Sequence, residues 1–275
     1  MTGEPTTVHR AMPEGHHEDD EAHSGSPSIG DYGLLADCNG AALVNRAGSI
    51  DWLCLPRYDS PAIFARLLDP EAGHWSITPV DEFRAERRYL PGTLVIETTF
   101  TTATGQARLI DALAFAQGQR VHDLGLDCPH EVLRLLEVVA GTVEFAMELA
   151  PRPEYGLIRP LFRQTADGGE TALGPNRIGV RVGTPTTIDD ATMRAAFRVS
   201  VGQRVGFSLR WADVDALAPE PCPANQVSVR IADTIKAWQS WETAHDIYQG
   251  AHRDMVRLGS RVLKGLSYRP TGAIV

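Results

Sequence analysis

The sequence predicts a mainly β protein in which antiparallel sheets pack as a sandwich and two α-helices follow. Runs of alternating, β-branched residues favour half-buried strands, and TLVIETTFTT at Thr93–Thr102 is the clearest of them. Short glycine-containing turns join these runs, which is typical of hairpins in antiparallel sheets. Only beyond the Pro-rich segment 212–224 does the apolar spacing change from two residues to about 3.6.

The β region extends from Ile29 to about Trp211. A first hairpin joins Ala42–Val44 to Ile50–Leu55 across the turn NRAG, where Gly48 can take a positive φ. A second and a third hairpin are predicted further along, followed by three more strands. They comprise Thr93–Thr102 with Gln106–Phe115, Glu131–Val139 with Val143–Leu149 across Ala140-Gly141-Thr142, and then Arg177–Val182, Thr192–Val201 and Gln203–Trp211.

Two helices are predicted after this region. In Val227–Tyr248 the residues Ile231, Ile235, Trp238 and Trp241 repeat at spacings of four, three and three, which forms one apolar stripe. Arg253–Leu266 forms a second helix, with an apolar face made of Met255, Leu258, Val262 and Leu266. Both stripes require a partner surface, either the sandwich or a further domain.

Residues 1–28 predict a disordered tail. The segment has almost no large apolar residue and is rich in Glu, Asp, Gly, Pro and His. It cannot bury enough surface to offset the entropy lost on ordering. Its histidines have no fixed backbone to hold a metal ion, so no metal site is expected there.

Charge and composition exclude several classes of protein. The net charge is −9 and the pI about 5.5, which argues against a general nucleic-acid or anionic-membrane surface. No apolar run approaches the roughly 20 residues of a membrane span, and the N-terminus lacks a signal pattern. A cytoplasmic protein is the default expectation.

The four cysteines, Cys38, Cys54, Cys128 and Cys222, lie far apart and form no C-x-x-C pair. A zinc ribbon is therefore excluded, and four reduced, mostly buried thiols are expected. No metal and no cofactor is predicted.

Motifs for nucleotide binding, serine hydrolysis and zinc-dependent hydrolysis are missing. Carboxylates are the remaining acid–base candidates, since glycoside hydrolysis needs two of them at a fixed separation. Those in or beside apolar stretches are Asp31, Asp37, Asp51, Asp59 and Asp111. Most are expected to accept hydrogen bonds in turns or to pair with arginines.

The segment AALVNRAGSIDWLCLPRYDSP is the strongest site candidate. Two prolines stiffen its loop and fix the directions of Arg57 and Asp59, which can form a two-pronged ion pair. Trp52 and Tyr58 offer flat rings with polar tips. Spacing alone leaves two interpretations, a rigid corner that docks the sheet on another surface or a site that stacks on a sugar ring. Tyr155, in the stiff segment PRPEYG, is a further candidate for the same end of the sandwich.

Three stretches resemble glycoside hydrolase family 15, the bacterial and archaeal glucoamylase-like and trehalase enzymes. The string GSIDWLCLPRYDSPAIF at 48–64 resembles their trehalase-like N-terminal domain, and PRPEYG resembles a P-x-x-x-YG element of that domain. The last 23 residues, 253–275, resemble the helix and the PTGAIV strand that lead into the catalytic barrel. The similarity extends from Ile29 to Val275 and departs locally at Asn39-Gly40, at 116–130 and near 165–190.

The resemblance implies a β-supersandwich at 29–215, a linker with two helices at 216–266, and at 267–275 the start of an (α/α)₆ barrel that the chain does not include. In the family, that barrel carries two glutamates for inverting hydrolysis of α-glucosides. The resemblance therefore implies that this chain has no catalytic residue, and we expect it to be truncated before the barrel and inactive alone.

The leading expectation is a non-catalytic N-terminal domain that packs on a barrel, its own or separately encoded, and shapes the rim of the α-glucoside pocket. Trp52, Arg57, Tyr58, Asp59 and Tyr155 are the rim or interface candidates. Two alternatives stay open, a stand-alone carbohydrate-binding or interaction module and a cryptic hydrolase that uses the aspartates.

Overall fold

The computed structural model describes residues 27–171, 176–215 and 218–275, so all but the last two residues of the predicted tail lie outside the described residues. Two helices, α1 (Val227–His245) and α2 (Arg253–Gly265), follow the strands. The strands are β1 Gly33–Ala36, β2 Ala41–Val44, β3 Ser49–Cys54, β4 His74–Pro79, β5 Phe83–Tyr89, β6 Ile96–Thr102, β7 Gly105–Leu113, β8 Glu131–Ala150, β9 Phe162–Thr165, β10 Gly168–Thr171, β11 Asn176–Val182, β12 Thr187–Asp189, β13 Thr192–Ser200 and β14 Arg204–Asp213.

The strands form two antiparallel layers that share β8. Residues 142–150 of β8 pair with β4 and β13 in the first sheet, whose order is β1-β2-β3-β4-β8-β13-β12. Residues 131–141 pair with β7 and β14 in the second sheet, whose order is β5-β6-β7-β8-β14-β11-β10-β9. Ile50 and Trp75 from the first sheet and Phe100 and Leu109 from the second are fully buried in one core. The predicted mainly β, antiparallel fold followed by two helices is confirmed.

The predicted hairpins at 42–55 and 93–115 are present as β2–β3 and β6–β7. The predicted third hairpin is wrong, because β8 is one continuous strand of 20 residues. Gly141, at φ +66°, lies where β8 leaves the second sheet for the first. Its carbonyl accepts the amide of Val201 at 2.9 Å, while the amide of Thr142 donates to Thr104 at 3.1 Å. The glycine therefore marks a change of sheet and not a reversal of the chain.

We expect Gly141→Ala to lower the free energy of unfolding by about 2–3 kcal/mol, because a side chain there is strained by the positive φ and overlaps the carbonyl of Thr104. Gly202→Ala is the matched control. Gly202 has φ +81°, but an added Cβ meets nothing within 4 Å, so only the backbone strain remains. Urea unfolding of both variants compares them, and equal losses would contradict the close approach at 141.

The helices cover the outer face of the second sheet through a second apolar cluster. Ile231 and Trp238 of α1 are buried there, and the Trp238 ring lies edge-on to Phe115 with centroids 5.1 Å apart. Leu258 and Val262 of α2 pack against the same cluster, as their spacing predicted. Met255 was expected on that face but is 72% exposed. Neither helix, nor any other in the described ranges, has the length and apolar character needed to cross a membrane.

A tight turn follows α2 and lies against the loop after β1. The amide of Tyr268 donates to Ala273 at 2.7 Å, and Ser267 pairs with Ile274 as an isolated bridge. The amide of Arg269 donates to the carbonyl of Cys38 at 2.8 Å. The segment 267–275 is thus a small hairpin attached to the sandwich.

Candidate functional site

The predicted site residues lie along one surface strip that begins at Trp52. Trp52 is on the face of β3 opposite to the core residue Leu53, and its half-buried ring packs beside Ala72 and its small neighbours. The ring of Tyr155, which is 49% exposed, lies 6.2 Å from that of Trp52 at an interplanar angle of 42°. Two aromatic rings therefore stand together on the outside of the first sheet.

Backbone contacts bring PRPEYG to the loop that follows β3. Immediately after β8 ends, the amide of Arg152 donates to Ile63 at 2.9 Å and that of Tyr155 to Ala62 at 3.2 Å. Glu154 and Tyr155 both have positive φ, 57° and 58°, and form the turn that presents the ring. The two motif segments singled out in the sequence thus meet, although about 100 residues separate them.

Arg57 and Asp59 form the two-pronged pair that their spacing predicted. The Nε and Nη2 atoms of Arg57 donate to Oδ1 and Oδ2 of Asp59, each at 2.9 Å. Both side chains are more than half exposed. The guanidinium also lies over the ring of Tyr268, 5.4 Å from its centroid. The pair is therefore held in one orientation beside the C-terminal hairpin.

Tyr58 attaches the same loop to α2. Its hydroxyl donates to the carbonyl oxygen of Gly265, the last residue of α2, and its ring meets Tyr268 edge-on at 6.3 Å. Burial raises the pKa of Tyr58 well above its usual value, with a smaller contribution from the charge of Asp37. The hydroxyl accordingly stays protonated and available as a donor.

Cys54 connects the two halves of the strip. Burial raises the pKa of this thiol to about 11. A hydrogen bond from Trp52 lowers the pKa in part, and the charge of Asp59 raises it slightly. The thiol is thus protonated at neutral pH and is no nucleophile. The strip consists of Tyr155, Trp52, Cys54, Asp59 and Arg57. Ring and packing contacts join the first three, and Asp59 acts on Cys54 through its charge.

The sequence did not predict Tyr268 as a site residue, although its ring contacts the guanidinium of Arg57 and the ring of Tyr58. Its position just before the Pro-Thr-Gly turn is the one local signal that could have drawn notice to it.

The aspartates considered as possible acids or bases each bond a structural partner within the described ranges. Asp111 is fully buried against Arg134, and the turn amides of Asn39 and Gly40 donate to Asp37. The others bond as follows: Asp31 with Arg46, Asp51 with Tyr32, Asn45 and Ser49, and Asp59 with Arg57. The geometry gives no support to the cryptic hydrolase.

The four thiols are free, as expected, and three of them are buried. In the part of the chain that the structure describes, no group of three or more His, Cys, Asp or Glu side chains could hold a metal ion.

Comparison with known proteins gives a family match over more than half of the chain. Residues 22–180 match the family described as "Trehalase-like, N-terminal". The chain is 32% identical over 271 residues to a trehalase of Mycolicibacterium smegmatis and 31% identical over 271 residues to a trehalase of Mycobacterium tuberculosis. Each match covers 90% of this chain and 39% of the relative.

A third relative is a trehalase 1 of Sulfolobus acidocaldarius, 33% identical over 137 residues, which are 50% of this chain and 22% of that protein. The chain thus spans about two fifths of the length of the two mycobacterial relatives.

Proposed function

The chain belongs to the trehalase-like N-terminal family, and from that premise we propose that it is the non-catalytic N-terminal domain of a glycoside hydrolase of family 15, a trehalase or glucoamylase-like enzyme. The catalytic acids lie in an (α/α)₆ barrel, in the same polypeptide or a separate one, which hydrolyses an α-glucosidic bond with inversion and without a cofactor. Within the chain, 29–215 form the sandwich, 216–266 the linker and 267–275 the approach to the barrel.

One observation carries the proposal: the motif loop, residues 55–61 after β3, contacts both the end of α2 and the C-terminal hairpin. Arg57 and Tyr58 both contact Tyr268, and Tyr58 also bonds Gly265. Exposed apolar side chains lie on α2 and on the C-terminal hairpin, and a partner domain would cover them. They are Met255, Leu263, Ile274 and Val275.

The pairing of Arg57 with Asp59 supports a rim position. A preset, exposed guanidinium–carboxylate pair offers both donors and acceptors to sugar hydroxyls or to a facing domain without further loss of side-chain entropy. A cytoplasmic location belongs to the same proposal, since four unpaired thiols suit a reducing compartment.

A chimera tests the proposal. The chain replaces the matching segment of the M. smegmatis trehalase, and glucose release from trehalose is measured for the chimera and for the chain alone. We expect activity only in the chimera, and Arg57→Ala should lower its kcat/KM by roughly tenfold, the loss typical of a central interface contact. Arg84→Ala, in an exposed ion pair on β5, is the control and should change nothing. Hydrolysis by the isolated chain would overturn the proposal.

The paired rings of Trp52 and Tyr155 favour a second candidate, a stand-alone carbohydrate-binding module. It predicts saturable binding of maltooligosaccharides by the isolated chain, weakened in Tyr155→Ala. Calorimetry separates the two functions, because a domain that only shapes a rim binds little sugar until its barrel is present.

A further inference from the structure

A groove of about 690 Å³ crosses the outer face of the first sheet, over β4, β8 and β13. On β4 the side chains of His74, Ser76 and Thr78 line it, while the intervening Trp75 and Ile77 enter the core. A smaller cavity of about 360 Å³ shares its Arg66 end. These sizes are within the range of small-molecule sites.

Charges at the Arg66 end of the groove are unequally paired. Arg194 donates to Glu148 at 2.9 Å, and that carboxylate also lies 3.4 Å from Nε2 of His74. Arg152, which lines the adjoining cavity, uses its donors on backbone carbonyls and on the hydroxyl of Thr192. Within the described ranges no carboxylate lies at ion-pair distance from Arg66. In the groove's own lining Arg66 and Arg194 face one carboxylate, that of Glu148, so one guanidinium is in excess. The adjoining cavity adds two arginines but also the carboxylates of Glu71, Asp189 and Asp190.

The electrostatic environment of His74 is consistent with this surplus. Its side chain is only 6% exposed at the floor of the groove. Burial is the largest cause that lowers the pKa of His74 to about 4, and Arg66, Arg152 and Arg194 lower it further, against the opposing effect of Glu148. At neutral pH the ring is therefore neutral, and it offers one donor and one acceptor.

Away from the charged end, hydroxyl groups line the groove together with five apolar residues, Ala146, Met147, Pro185, Ala195 and Ala196. Ser76 and Thr78 on β4 form one side, and Thr186 and Thr187, at the start of β12, form another. From this arrangement we infer that the groove binds an acidic sugar, whose anionic group meets Arg66 and whose hydroxyls bond the serine and threonine side chains. The anionic group is a phosphate ester or a carboxylate. The lining of the groove shares no residue with the strip that contains Trp52, Arg57 and Tyr155, and the inference does not depend on a barrel.

Calorimetry of the full chain at pH 7 tests the inference with four probes: glucose 6-phosphate, glucuronate, glucose and inorganic phosphate. We expect saturable binding of at least one of the first two, and the stronger of them identifies the anionic group. Glucose and inorganic phosphate should bind at least about tenfold more weakly, since each makes only part of the contacts.

Arg66→Gln should lower the affinity for the acidic sugar by roughly tenfold, the effect of losing one charge-assisted hydrogen-bonded pair. Arg84→Gln, at an exposed position of β5, is the matched control and should leave binding intact. Thr186→Ala, on the other wall of the groove, is a second variant. It should lower the affinity for the acidic sugar but not that for inorganic phosphate. It also serves if Arg66→Gln fails to fold.

A second readout follows the His74 ring by NMR. A bound anion stabilises the imidazolium, so the pKa of His74 should rise from about 4 when the acidic sugar is present. The inference is overturned if neither acidic sugar binds, if Arg66→Gln binds like Arg84→Gln, or if inorganic phosphate binds as tightly as the sugar ester.

Discussion

Asp111→Ala is expected to lower the free energy of unfolding by about 3–5 kcal/mol, because it leaves the guanidinium of Arg134 buried without a counter-ion. Both side chains are 0% exposed, and the pair spans 2.7 Å between Nε and Oδ1. Arg134 also donates to the carbonyls of Trp75 and Gly48 and lies over the Trp75 ring at 5.1 Å. One side chain thus joins strands of both sheets.

Asp59→Ala is the matched control for this substitution. It removes the carboxylate of a two-pronged Arg–Asp pair of similar geometry that is more than half exposed. Solvent screens that pair, so the expected loss is at most about 1 kcal/mol. Urea unfolding measures both variants, and equal losses would show that burial does not determine the strength of the Asp111–Arg134 pair. The double variant Asp111→Leu with Arg134→Met should recover most of the stability, since it removes the buried charge itself.

Local patterns predicted the parts of the fold that depend on near neighbours. The hairpins at 42–55 and 93–115 have their turn residues and both strands within one short window, so alternation and a glycine were sufficient. The stripe of α1 was equally local, and Ile231 and Trp238 are buried as its spacing indicated.

The passage of β8 between the sheets could not be found in this way. A glycine at φ +66° between two apolar strands has the local pattern of a hairpin turn. What distinguishes the two cases is the partner of each half, and Thr104 and Val201 lie about 40 and 60 residues away along the chain. Only long-range pairing decides whether the chain reverses or changes sheet.

The candidate site shows the same division. Two segments rich in proline and aromatic residues predicted Arg57 and Asp59 in one case and Tyr155 in the other, each from its own local sequence. The ring contact between Trp52 and Tyr155 and the meeting of Arg57 with Tyr268 are tertiary contacts that no spacing encodes. The groove over β4 went unnoticed because alternating polar residues are what any solvent-facing side of a strand shows.

Trp238→Ala has the other large expected effect, a loss of about 3–5 kcal/mol of unfolding free energy. The substitution removes a large ring from a closed apolar cluster and leaves a cavity there. The ring is 1% exposed and lies edge-on to Phe115. It also supports the end of α2, where an added Cβ on Gly265 would lie 3.6 Å from it. Because the carbonyl of Gly265 accepts the hydroxyl of Tyr58, the loss should extend to the motif loop.

Val229→Ala, at a position of α1 that is 64% exposed, controls for a change in the same helix and should cost less than about 0.5 kcal/mol. Hydrogen exchange at the amides of α2 and of 57–60 supplies the second measurement. If α1 holds α2 in place, Trp238→Ala speeds exchange in both segments and Val229→Ala in neither. Faster exchange in α1 alone would mean that Tyr58 and Tyr268 hold the strip together without the helix, and the surface that meets the barrel would then be independent of the linker.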